Sequence, residues 1–144
     1  MPLLNYTTKI STDKTVSEIQ KCLTTHGATA ILAEYDDQGM ITQISFQIAL
    51  EGQRIGFKLP SDWRPVLQIL ENEKKVPRHF CNKEQAIRVS WRILKAWIEA
   101  QMAIVETKMV KLDQVFLPYA VGKDGRTMYE TIKSGNLLSA PKEV

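Results

Sequence analysis

The residues best suited to chemistry are cations gathered along one stretch of the chain. Arg78 and His79 precede Phe80. Arg88, Arg92 and Lys95 follow at i, i+4 and i+7, the spacing that brings side chains onto one face of a helix. Guanidinium groups match phosphate oxygens in pairs. Phe80 and Trp91 lie close enough in sequence to offer a stacking surface, and Lys83 adds charge near the helix start. Such a set suits a phosphate-bearing ligand. The plainer reading is a solvated helix face, with Glu84 and Arg88 as an ordinary i,i+4 pair. A weaker anion candidate is Gly122-Lys123-Asp124-Gly125-Arg126-Thr127, where glycines and cations, Arg126 among them, run into a helix start. Helix N-termini attract anions, but the Walker spacing is absent and a plain loop suffices.

Other chemistries find less support. Cys22 and His26 are one helical turn apart, and His79 and Cys81 are two residues apart. Four zinc ligands are therefore countable, yet the paired spacing of structural zinc modules is missing. Neither cysteine lies in a Cys-X-X-Cys motif, and no serine sits in a nucleophile elbow. His79 near Cys81 reads as chance proximity rather than an activated pair. Glu34, Asp36 and Asp37 cluster where a hairpin turn is expected, and Asp is common there for backbone reasons. The expectation is no metal, no cofactor and no catalytic residue.

The elements that must position these residues can be read from pattern. Tyr6, Thr7, Thr8 and Ile10 favour a first strand over Asn5–Ile10. Thr15 and Glu18 have capping-box spacing, and Val16, Ile19 and Leu23 form an apolar stripe that stops at Gly27. Ala28–Tyr35 reads as a strand, closed by a turn at Asp36–Gly39. Ile44, Phe46, Ile48 and Leu50 alternate with polar residues, and so do Ile55, Phe57 and Leu59 beyond the turn at Glu51-Gly52. That period of two predicts an antiparallel meander with one apolar face. After Pro60 a helix begins near Ser61 or Asp62, with Trp63, Val66, Leu67 and Leu70 on its apolar side. An irregular basic link leads to Asn82 and Gln85, again at cap spacing, and a long helix reaching about Lys108. Ile87, Trp91, Leu94, Ile98, Met102 and Val105 form one stripe of it. Ala86, Val89, Ile93, Ala96, Trp97, Ala100, Ala103 and Ile104 widen it to a second side, which another subunit or the C-terminal segment must cover. Thr127 and Glu130 cap a last short helix ending at Gly135. The fold class expected is α+β: a helix and a three-stranded meander, then a helical C-terminal half. One domain over residues 1–138 and a mobile tail from Ser139 to Val144 complete the layout.

Bulk properties narrow the setting. A length of 144 residues suits one domain with an ordinary core. Two cysteines are too few for a secreted disulfide framework. Met1–Asn5 has neither the charged start nor the apolar run of an export signal, and no stretch approaches a membrane span. These point to the cytoplasm. Net charge is only +3, but Lys75–Lys111 holds eight Lys or Arg against three Glu. A basic half invites an anionic partner.

Several stretches give a family likeness. They are Tyr6-Thr7-Thr8-Lys9-Ile10, His26-Gly27-Ala28, Glu34-Tyr35-Asp36, Phe57-Lys58-Leu59-Pro60, Trp91-Arg92-Ile93 with Trp97, Glu99–Ala103, and Phe116-Leu117-Pro118-Tyr119. In these the chain resembles a family of small, mostly uncharacterised proteins carried by phages and integrative elements of anaerobic gut bacteria. The resemblance implies mobile-element cargo, a class that includes counter-defence proteins and nucleic-acid-handling accessories, and it assigns no catalytic residue. The expected function is a non-enzymatic, oligomeric sponge in the host cytoplasm. Its ligand would be a small anionic nucleotide, such as an immune signalling molecule. The alternative is a nucleic-acid-binding accessory, since helix, three strands and helix is also the element order of the double-stranded RNA-binding domain.

Overall fold

The computed structural model describes residues 2–135. The order is α1 (Thr12–Thr25), β1 (Ala28–Tyr35), β2 (Ile41–Leu50), β3 (Gln53–Lys58), α2 (Arg64–Asn72), α3 (Lys83–Glu106), α4 (Leu112–Val115) and α5 (Met128–Gly135). Short 3-10 turns occupy Arg78–Phe80 and Leu117–Tyr119. The strands form an antiparallel sheet in the order β1-β2-β3. This is the expected α+β arrangement. The tail expected to be mobile lies outside the described residues.

The alternation in β2 and β3 works as sequence requires. Ile44, Phe46, Ile48 and Phe57 turn inward and are buried, together with Leu59 just past the strand end. Phe46 stacks on Phe57 with ring centroids 5.1 Å apart, and Phe116 meets Phe46 edge-on at 5.6 Å. Val16, Ile19 and Leu23 of α1 and Trp91, Leu94, Ile98 and Met102 of α3 close this main core over the sheet. A second, smaller core joins Leu70 of α2, Val76 and Ala86 of α3.

The second apolar side of α3 is covered in pieces. Val66, Leu67 and Leu70 of α2 belong to the smaller core that Ala86 completes. Further along, Trp97 meets Phe116 edge-on at 5.5 Å. The C-terminal segment is thus one of the covers that the sequence pattern requires. Ala96, Ala100, Ala103 and Ile104 stay exposed.

Two local expectations are corrected. Residues 5–10 are not a strand. Asn5 adopts φ 65°, and Tyr6 and Thr8 donate to the carbonyls of Leu3 and Asn5 at 3.2 and 3.0 Å, which makes a tight turn. The carbonyls a strand would offer a neighbour are taken by one side chain: Gln85 Nε2 donates to Tyr6 O at 2.8 Å and Thr8 O at 3.0 Å. Tertiary contact overrides the β preference of these residues. The cap of α1 also lies one turn earlier than expected. Ser11 accepts from the Lys14 amide at 3.2 Å, whereas Thr15 is fully buried inside the helix and donates to Ser11 O. By contrast, Asn82 accepts from the Gln85 amide at 2.9 Å, and Thr127 and Glu130 cap α5 reciprocally.

Candidate functional site

The basic residues singled out above do not converge on one site. Arg78 and His79 are exposed on the 3-10 turn before α3. Phe80 turns into the smaller core, edge-on to Tyr6 at 5.6 Å, and His79 lies against it with centroids 4.1 Å apart. Trp91 is 3% exposed and sits in the main core, so it presents no ring face to a ligand. Arg126 donates to Glu130 O at 2.9 Å and to Ser134 Oγ, which ties it to its own loop and to α5.

Arg88, Arg92 and Lys95 do share a face of α3, but the fold has engaged them. Arg88 donates to Gln85 Oε1 at 2.7 Å, fixing the amide whose other end holds the N-terminal turn. Arg92 and Lys95 reach Glu18 of α1 at 3.2 and 3.3 Å, and Lys95 also meets Glu99. Burial works to raise the Glu18 pKa, yet the Lys95 hydrogen bond and the charges of Lys95 and Arg92 lower it overall. The Lys95 ammonium is in turn favoured, first by Glu99 and then by Glu18. Arg92 Nε is buried with no hydrogen-bond partner among the described residues. These cations fasten α1 to α3.

A cysteine, a histidine and a carboxylate meet at the far end of that helix pair. His26 Nδ1–H donates to Cys22 O at 2.8 Å, and its Nε2–H donates to Glu106 at 2.6 Å. Both bonds favour the charged ring, the backbone carbonyl most, and against burial they raise the His26 pKa. Cys22 Sγ lies 3.9 Å from Nδ1, but the proton there points at the carbonyl. Burial and then Glu99 push the thiol pKa up. A nucleophilic pair needs a thiol whose pKa is lowered and an imidazole nitrogen turned toward it. Here the thiol pKa is raised and the Nδ1 proton is given to the Cys22 carbonyl, so the geometry is that of a histidine at a helix C-terminus.

A chiefly apolar groove lies elsewhere. Pro60, Ser61 and Asp62 from the β3–α2 link, Val66 of α2, Ser90, Ile93, Leu94 and Trp97 of α3, and Tyr119 line a groove of about 450 Å³. Ser90, Ile93 and Trp97 reach it because they fall at i, i+3 and i+7. The 3-10 turn delivers Tyr119, whose ring meets Trp97 at 5.4 Å and 80°. Both rings are only partly buried. The lining is chiefly apolar, with Ser61, Ser90 and Asp62 as its polar points. Asp62 accepts from the Arg64 side chain and amide at 3.0 Å, and these bonds lower its pKa. Sequence reading placed Ile93 and Trp97 on the second side of α3 but assigned them no ligand. In the sequence Asp62 reads only as a helix start and Tyr119 only within a stretch of family likeness, neither of them as a site residue.

Among the described residues no three His, Cys, Asp or Glu are grouped to hold a metal ion, and no helix is long and apolar enough to cross a membrane. Comparison with protein-family models, curated proteins and solved structures finds no match for the chain.

Proposed function

We propose that this protein is a non-enzymatic binder of a small nucleotide-type ligand, held in the groove between α2, α3 and the Leu117–Tyr119 turn. One observation carries the reading: Trp97 and Tyr119 stand nearly perpendicular in an apolar groove of about 450 Å³, within the roughly 300–1,000 Å³ of small-molecule sites. A planar base stacked on one ring meets the other edge-on, the two favoured aromatic geometries. Asp62, held as a carboxylate, accepts from an exocyclic amine or ring N–H. Arg64, paired with it at 3.0 Å and exposed, would supply the cation for a phosphate beside the groove. The likeness to mobile-element cargo supplies a purpose. A stoichiometric sponge in a host cytoplasm needs tight, non-destructive binding of a signalling nucleotide.

The test is a thermal-shift panel of cyclic dinucleotides and cyclic adenosine-diphosphate-ribose products, followed by heating and identification of what is released. The expected result is a shift with one species, quenching of Trp97 fluorescence, and intact release. Ser90→Phe, which fills the groove, and Asp62→Asn should each weaken binding by about tenfold or more in a folded protein. Released product in degraded form would mean an enzyme, and no shift with any species would remove the proposal.

A second reading, nucleic-acid binding, is favoured by the exposed Lys74, Lys75, Arg78, His79 and Lys83 around the start of α3. It predicts affinity for duplex RNA or DNA that falls steeply with salt and is indifferent to Ser90→Phe.

A further inference from the structure

We infer that β1 is a dimerisation edge, across which a second copy of this chain adds its own β1 antiparallel to form a six-stranded sheet. The inference is independent of the groove.

The two edges of the sheet are treated differently. The β3 edge is covered by the chain itself: Ala120 bridges Phe57, and the Val121 amide donates to Gly56 O at 2.8 Å. It also carries Arg54 and Lys58, charges that discourage further pairing. The β1 edge is paired with no strand among the described residues. Between its irregularities at Ala28/Ala30 and Glu34/Tyr35 it is regular over Ala30–Glu34, with no lysine, arginine or proline to blunt it.

Backbone direction follows from one bond. The Leu59 amide donates to Ile44 O at 3.1 Å, so Ile44 turns its backbone polar groups toward β3. Its partner across β1–β2 is Ala33, and Ile31 pairs with Phe46 two residues on. In an antiparallel ladder hydrogen-bonded and non-bonded pairs alternate. Ala33 and Ile31 therefore point their N–H and C=O groups away from β2, at the open edge. Unpaired groups of this kind are a template for strand addition.

The occupant is a second copy because this edge is its own complement. The regular stretch Ala30–Glu34 is centred on Leu32. A two-fold axis through Leu32 sets Ile31 against Ala33 of the other chain and Ala33 against its Ile31, pairing every free group of the stretch. Leu32 then faces its own symmetry mate at a non-hydrogen-bonded position, where side chains are closest. Leu32 is 60% exposed on the outer sheet face, which also carries Ser45, Gln47, Arg54 and Lys58. Its burial in this register supplies an apolar contact. The only charge of the stretch, Glu34, falls opposite Ala30 and stands at the far end from the other Glu34, so no like charges meet.

The experiment uses the full chain at micromolar to submillimolar concentrations, by analytical ultracentrifugation. The expected result is a dimer for the natural sequence and a monomer for Leu32→Lys, which sets two ammonium groups face to face and raises the dissociation constant by at least about tenfold. Circular dichroism and thermal unfolding confirm that the variant is folded. Leu32→Cys gives a second readout that does not depend on weakening anything. With diamide as oxidant, the two introduced thiols across the axis lose two protons and two electrons and form an intersubunit disulfide, as the short Cα separation of such a pair permits. Lys58→Cys, away from the axis, should not cross-link. A monomer at all concentrations, or a dimer that survives Leu32→Lys and does not cross-link through Leu32→Cys, would overturn the inference.

Discussion

His26 shows how a residue that sequence offers to catalysis is used by the fold. Its ring nitrogens are both donors, to Cys22 O and Glu106, and so join the C-terminus of α1 to that of α3. The folded-state pKa is raised above 6.5. The charged ring is therefore bound more tightly in the folded than in the unfolded chain. The stability it contributes is complete below the unfolded pKa and is lost as pH rises through the folded one. The melting temperature should thus fall as pH goes from about 6 to about 8, and His26→Asn should flatten that fall. Equal slopes for both proteins would refute the role. The same logic explains why the basic face was legible as a face but not as a network. Helical spacing gives Arg88, Arg92 and Lys95 a common side, yet Glu18, the carboxylate that Arg92 and Lys95 share, lies 74 residues before Arg92. No local rule reports that an ion pair already occupies a cation. Nor does a helical wheel decide which of Trp91 and Trp97 turns to the sheet, because both belong to apolar stripes.

At the scale of elements, legibility followed locality. The period-two runs of β2 and β3 identify their own inward faces, and the caps at Asn82 and Thr127 need only three residues to recognise. The misread segment, residues 5–10, takes its shape from Gln85, a distant glutamine. The C-terminal strap is the other element whose role is tertiary. Short pieces at Leu112–Val115 and Leu117–Tyr119 deliver Phe116 into the main core, fully buried, between the Phe46–Phe57 pair and Trp97. The same strap then closes the β3 edge and sets Tyr119 into the groove. Phe116→Ala should therefore cost about 3–5 kcal/mol, the range for a phenyl ring lost from a core, measured from urea unfolding. It should also shift Trp97 emission to the red as its edge contact disappears. A loss under about 1 kcal/mol would mean the strap is a passive cover.

The whole molecule is two apolar clusters on one long helix, and they should not open together. The main cluster spans the sheet, α1, the body of α3 and Phe116. The smaller one holds Leu70, Val76 and Ala86, with Tyr6, Trp63, Val66, Leu67 and Phe80 around them. The contacts of α2 are made chiefly with α3, whereas β2 is paired on both sides. One buried residue, Leu70, and one principal helix partner mark α2 and the turn beyond it as the low-stability unit, able to detach while α3 stays on the sheet. The groove makes this relevant to function. Val66 of α2 and the Pro60–Asp62 link form one wall, and Ile93, Leu94 and Trp97 on α3 form the other. Opening of α2 would therefore widen the site, while α3 keeps its aromatic wall fixed. Native-state hydrogen exchange tests the division. Amides of residues 64–80 should exchange with lower free energies than those of β2 and the middle of α3. Leu70→Ala, which hollows only the smaller cluster, should speed exchange in α2 and the Arg78–Phe80 turn and leave β2 and β3 protection unchanged. If protection fell equally in the strands and in α2, the two clusters would be one cooperative unit, and α2 could not serve as a movable wall.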